Sequence, residues 1–165
     1  MESKICLAIK NLVDFTESEI SALSRLEVSE WQEIKGGSFD ESVEAWQKDT
    51  TGNVLGFCFL IQSDLVGMTL FKRPPLSPSW ATADAASIHG LKISTPWQCQ
   101  GLGHKAFKLA VEQLKVEWPK ISKLVLAVDA DNDAALAVYR AYGMSESGPI
   151  YKGNDGLENR FQIPL

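Results

Sequence analysis

Apolar and polar residues alternate from Lys4 to Lys10, the pattern of a first strand with one buried face. Thr16 with Glu19 three residues on is a capping box, and Ile20, Leu23 and Leu26 follow at helical spacing, predicting a helix. Lys35-Gly36-Gly37 breaks the chain, and Ser38 with Glu41 starts a second helical stretch through Trp46. After a Gly52-Asn53 turn, Val54–Ile61 and Leu65–Phe71 flank a polar Gln62-Ser63-Asp64 corner and predict an antiparallel hairpin. Pro74, Pro75 and Pro78 make the segment 72–84 a loop, and Ser87 to Ile93 is the next strand.

The second half is more regular. Leu102, Ala106, Ala110, Leu114 and Trp118 recur every fourth residue, one apolar stripe of a long helix that Pro119 ends. Leu124 to Val128 is a short buried strand. Asn132 to Tyr142 is a helix with Ala135, Val138, Tyr139 and Tyr142 on one side and Gly143 at its C-terminal cap. Met144–Tyr151 and Glu158–Ile163, around a Gly153-Asn154-Asp155-Gly156 turn, predict a final hairpin. Helices and strands alternate irregularly with one clear strand–helix–strand crossover, so the expectation is one mixed α+β domain over 1–165.

Composition narrows the function classes. The longest strongly apolar run, Val54 to Ile61, is far short of the roughly 20 residues of a membrane span, and the first residues lack the apolar core of a secretory signal. Cys6, Cys58 and Cys99 show no CxxC spacing, so neither a disulfide framework nor a metal site is expected, and a cytoplasmic location fits. Residues 1–50 carry five Lys/Arg against eleven Asp/Glu, whereas residues 51–165 carry eleven against ten. No basic face marks a nucleic-acid binder, and no membrane partner is indicated. An acidic half is either a set of solvated helix faces or a surface for a cationic ligand.

The candidate chemistry sits at Gln98-Cys99-Gln100-Gly101-Leu102-Gly103, a glycine-rich bend between a strand and the long helix. Backbone N–H groups converge at such a bend and the helix dipole adds positive potential, so a phosphate is its natural occupant. A P-loop is excluded because no Gly-Lys-Ser/Thr follows. Gly101-x-Gly103-x-x-Ala106 with Asp129 formally satisfies a dinucleotide fingerprint. Seven residues, Ser94 to Gln100, nevertheless separate the strand from Gly101, and half the chain precedes it, which disfavours that fold.

Gln98-x-x-Gly101-x-Gly103 opening a helix resembles the pyrophosphate loop of the GNAT superfamily of acyl-CoA-dependent N-acyltransferases. Asn132 to Met144 (NDAALAVYRAYGM) resembles that family's Asn-x-x-Ala-x-x-x-Tyr-x-x-x-Gly-Phe helix, with Met144 in place of Phe. The resemblance is specific over roughly residues 86–145. It implies a central, mostly antiparallel sheet of about six or seven strands with a splayed parallel pair and about four helices. It also implies acetyl-CoA as cosubstrate without a metal, a small-molecule or peptide amine as acceptor, and a homodimer as a common assembly.

Site residues follow from the same resemblance. The amides of Gln98, Cys99, Gln100, Gly101, Leu102, Gly103 and His104 would ligate the pyrophosphate, with Lys105 and Lys108 near a further phosphate or simply solvated. The backbones of Leu91 and Ile93 and the side chain of Asn132 would align the pantetheine arm, Asn132 also being a good helix cap. Tyr139 would be the general acid toward the departing thiolate. Many relatives place a basic glutamate on the strand before the loop; here Ser87 and His89 stand there, so the base is either His89 or a water chain ending at Asp84 or an acidic residue of the first helices. Trp31 and Phe39 flank the region that lines the acceptor pocket in the family. A non-catalytic acyl-CoA-binding sensor of the same fold is the alternative.

Overall fold

The computed structural model describes residues 4–147, 151–153 and 156–165. The chain begins with β1 (Leu7–Asn11), a short 3₁₀ turn, and three helices, α1 (Glu17–Ser24), α2 (Glu30–Gly36) and α3 (Phe39–Lys48). The hairpin β2 (Val54–Ile61) and β3 (Asp64–Lys72) follows, then β4 (Ala85–Ile93), α4 (Leu102–Glu117), β5 (Lys123–Asp129) and α5 (Asp133–Tyr142). Three C-terminal strands close the fold: β6 (Ser145–Glu146), β7 (Tyr151–Gly153) and β8 (Gly156–Pro164).

The eight strands form one sheet in the order β1-β2-β3-β4-β5-β8-β6, with β7 also paired to β8. Every pair is antiparallel except β4 and β5. Among the described residues the strand count exceeds the expected six or seven because the segment read as one strand to Tyr151 contributes both β6 and β7, with residues 148–150 outside the described residues. Of the predicted final turn, Asn154 and Asp155 lie outside the described residues; Gly153 pairs with Gly156 across it.

Helix ends follow local chemistry. Thr16 and Ser38 cap α1 and α3, each closing the reciprocal box with its glutamate. A third box, Ser29 with Gln32, opens α2. That helix was missed in the sequence because it buries no residue and so shows no apolar stripe, raising the helix count from about four to five among the described residues. α5 ends at Gly143, whose φ of 101° is left-handed and available to glycine without penalty.

Two apolar clusters cover the two faces of the sheet. On one, α4 sends Leu102, Ala106, Phe107, Ala110, Val111 and Leu114 against β4, β5 and α5. On the other, α1 and α3 pack Ile20, Leu23, Phe39 and Val43 against Cys58, Met68 and Leu70. Phe107 joins α4 to α5: its ring meets Tyr139 edge-on at 5.3 Å and Tyr142 at 4.8 Å. Phe107→Ala should lower the free energy of urea unfolding by about 3–5 kcal/mol, through lost burial and the cavity left between the helices.

Candidate active site

β4 and β5 are hydrogen-bonded neighbours only where Ala85–Ser87 face Lys123–Val125. Beyond that the strands diverge, leaving the β5-side edge of β4 from Ile88 to Ile93 unpaired. β4 also carries a bulge. Met68 of β3 faces Lys92 and Leu70 faces His89, so Gly90 and Leu91 together oppose Thr69. Gly90 takes a φ of 60°, a conformation that side chains disfavour. The extra residue reverses the strand's phase. Ala86 and Ile88 pack toward α4, and so do Leu91 and Ile93. His89 and Ser87 lie on the opposite face with Lys92, which reaches α3.

The bend expected to cradle a phosphate is built by two left-handed residues, Cys99 at φ 61° and Gly101 at φ 72°, before α4 begins at Leu102. No side chain caps α4. Its first N–H groups therefore have no intrahelical acceptor and sit at the positive end of the helix dipole. Gln98 acts differently from its neighbours. Its own N–H is donated to the Thr95 carbonyl at 3.3 Å. Its side-chain Nε2 donates to the Ile93 carbonyl at 2.7 Å and to Gln32 Oε1 at 3.1 Å. Gln98 thus ties the bend to the end of β4 and to α2.

A cleft of about 480 Å³ runs from this cradle into the opened sheet. It is lined by Leu91, Ile93, Gln98, Cys99, Gly101, Leu102, Gly103, His104, Asn132 and Tyr139 among the residues singled out in the sequence. Gln100 is exposed and outside this lining, and the half-buried His89 is also outside it. Asn132 caps α5, its Oδ1 accepting the Ala135 N–H at 3.3 Å. Tyr139 is 9% exposed, and burial pushes its phenol up to about 12, so it keeps its proton across the neutral range.

α2 contributes a further wall through Trp31, Gln32, Lys35 and Gly36, and Lys92 of β4 and Val138 of α5 also line the cleft. Lys35 crosses to the end of β5, 2.9 Å from Asp131 Oδ1 and 3.3 Å from Asp129 Oδ2. Hydrogen bonding to Asp131, then to Asp129, holds its ammonium above the usual lysine range despite partial burial. These two aspartates form an acidic lip beside the cleft. Past the cleft, the face of β5 and β8 opposite α4 lies open. Ala127 is exposed in mid-strand, and the Arg160 guanidinium stacks between Tyr151 at 3.7 Å and Trp80 at 4.5 Å.

Two groups near the bulge titrate unusually. His89 Nε2 lies 2.7 Å from Ser87 Oγ, which is 3.4 Å from the Lys72 carbonyl. Burial, with a smaller effect of Lys72, lowers its imidazole from 6.5 to about 4. Lys92 is 8% exposed and burial lowers it from 10.5 to about 8, partly opposed by Glu41. Sequence periodicity gave no hint of Lys92, since a lysine in a strand is ordinarily placed toward water.

A family model described as the acetyltransferase (GNAT) family matches residues 20–144. No curated protein sequence matches the chain. Solved structures do. An aminoglycoside acetyltransferase in complex with coenzyme A superposes with a TM-score of 0.76 at 15% identity, over 96% of this chain and 95% of that one. Spermidine N-acetyltransferase from Vibrio cholerae, in complex with coenzyme A and spermine, gives 0.73 at 17% identity over 96% and 95%. The ribosomal-protein-S18-alanine N-acetyltransferase from Escherichia coli gives 0.63 at 19% identity over 96% and 94%.

The depressed His89 value has a thermodynamic consequence. The unfolded chain binds a proton at this residue below about 6.5 and the folded chain only below about 4, so this contribution to stability is lost as pH falls through that window. Urea unfolding at pH 7 and pH 4.5 should show a pH-dependent loss smaller in His89→Gln than in the wild type, by on the order of 2 kcal/mol.

Proposed function

The chain belongs to the acetyltransferase (GNAT) family, and on that premise we propose that it moves an acetyl group from acetyl-CoA to a primary amine by direct transfer in a ternary complex. One observation carries this reading: a single cleft joins the uncapped start of α4, the unpaired edge of β4 and the Tyr139 side chain. A diphosphate suits the first, an amide-bearing arm the second and a leaving thiolate the third. When bound there, acetyl-CoA supplies the activated thioester; everything else is done by the chain.

In this reading the amides around Gly101, Leu102, Gly103 and His104 hold the diphosphate, and Leu91, Ile93 and Asn132 align the arm. The Leu91 amide, on the strand edge that β5 has left, is the donor for negative charge developing on the acyl oxygen. The amine lone pair forms the new carbon–nitrogen bond as the carbon–sulfur bond breaks. Tyr139 donates its proton to the sulfur, and the amine proton leaves toward His89 or solvent. His89 is neutral and ready throughout the neutral range, but with its value near 4 it is a weak base. The fraction of unprotonated acceptor therefore controls the acid limb of kcat/KM.

The acceptor is a cationic amine approaching from the open face of β5 and β8. The acidic lip at Asp129 and Asp131 supports this, as do relatives named for aminoglycoside, spermidine and peptide alanine acceptors. A thiol-release assay with acetyl-CoA across a panel of cationic amines tests the reading. Tyr139→Phe should lower kcat by roughly ten- to a thousandfold with acetyl-CoA affinity nearly intact, and full activity at a chemistry-limited rate would remove Tyr139 from the acid role. A side chain at Gly103 meets only Val138, at 3.7 Å, so Gly103→Arg should fold while its long chain fills the cradle. Calorimetry should then show acetyl-CoA binding abolished. Thiol release with no amine in the panel, alongside tight acetyl-CoA binding, would favour a sensor.

A further inference from the structure

Lys92 is the anomaly of the cleft. Its Nζ donates to Ser42 Oγ at 2.5 Å and to the Ser38 carbonyl at 3.2 Å, and lies 5.5 Å from the Phe39 ring. Among the described residues it makes no ion pair. Glu41 on α3 is the charged group acting on it, but Glu41 Oε2 accepts the Ser38 N–H at 2.8 Å. The Gly36 carbonyl of α2 borders the same Gly90 position, 3.5 Å from where a Cβ would stand, and the register neighbour of Lys92 on β3 is the neutral Met68. A buried ammonium without an anionic partner is unfavourable for folding, and replacing it with an apolar side chain of similar length removes that cost. Its position is specific. A Cβ on Gly90 would stand 3.1 Å from Nζ, so the ammonium lies within about 5 Å of the bulge Cα, allowing about 1.5 Å for the added bond.

We propose that Lys92 is a positioning residue for acyl transfer: its ammonium, seated beneath the Gly90 bulge, fixes the bulge against α3 and raises the positive potential at the Leu91 amide. This rests on the reading of the cleft as the acetyl-CoA site. The Leu91 amide follows Gly90 directly, so the charge sits roughly 7 Å from it, close enough for a unit charge to matter at an effective dielectric of about 20. The bulge supplies the geometry that allows this. By reversing the phase of β4 it turns Leu91 toward α4 and Lys92 toward α3, where the ammonium meets Ser42 and the Ser38 carbonyl.

The decisive variant is Lys92→Met, read in three ways. The thermal midpoint of the free protein should hold or rise, since a buried charge is removed. Acetyl-CoA affinity by calorimetry should change less than threefold. With acetyl-CoA and a responsive amine, kcat should fall roughly ten- to fiftyfold while acceptor KM moves little. The wild-type advantage in kcat should shrink as pH rises through about 8, where the ammonium loses its proton. In Lys92→Arg, which keeps its charge, that alkaline decline should disappear. Unchanged kcat in Lys92→Met, a kcat loss matched by a lower midpoint, or a pH-independent rate ratio would each overturn the proposal. Failure of the wild type to bind acetyl-CoA would instead sink the underlying functional reading, leaving the thermal measurement on Lys92 still interpretable.

Discussion

The bulge at Gly90 and Leu91 governs the rest of the site, because one added residue in β4 changes which face each later side chain occupies. Without it, Leu91 and Ile93 would share the face of Ser87 and His89 and point at α3. With it, they join the α4 cluster and line the cleft, and Lys92 turns the other way. The bulge survives because its left-handed position is a glycine and Thr69 Oγ1 donates to the His89 carbonyl at 3.2 Å across it. Thus a backbone irregularity, rather than any one side chain, separates the face of Leu91 and Ile93 from the face of Ser87, His89 and Lys92.

The bulge works only because β5 leaves β4 immediately after Ser87. Elsewhere in a sheet, the edge beyond it would be satisfied by the neighbouring strand. Here that edge is left without a neighbouring strand, while β5 pairs along its whole length with β8. α4 secures the arrangement from behind, burying its apolar stripe against both diverging strands while its N-terminus faces the same opening. The anchor of the core and the expected anion cradle are opposite properties of one helix: its apolar side and its uncapped end.

Much of this was legible in the sequence. Capping boxes at Thr16 and Ser38, the four-residue stripe of α4 and the glycine after α5 fixed those elements through local rules that tertiary packing did not override. The glycines of the bend marked a sharp turn before α4, and at Gly101 the left-handed φ of 72° leaves few alternatives to glycine. Two features were hidden. α2 buries nothing, so only the Ser29–Gln32 box betrayed it. The bulge has no signature beyond a glycine inside a strand, so period-two counting, which places Ser87 and His89 on one face, does not reveal that Lys92 shares that face.

α2 differs from every other helix here in owing nothing to either apolar cluster. It is secured by its capping box, by Gln32 to Gln98, and by Lys35 to the two aspartates, all polar ties at its ends and along one side. Its exchange with solvent should be faster than that of α3 or α4, since few buried contacts oppose local opening. Substitutions at Trp31, Gln32 and Lys35 would therefore change the wall of the cleft without removing a side chain from either apolar cluster. In this short helix the lining can be rewritten while the framework stands.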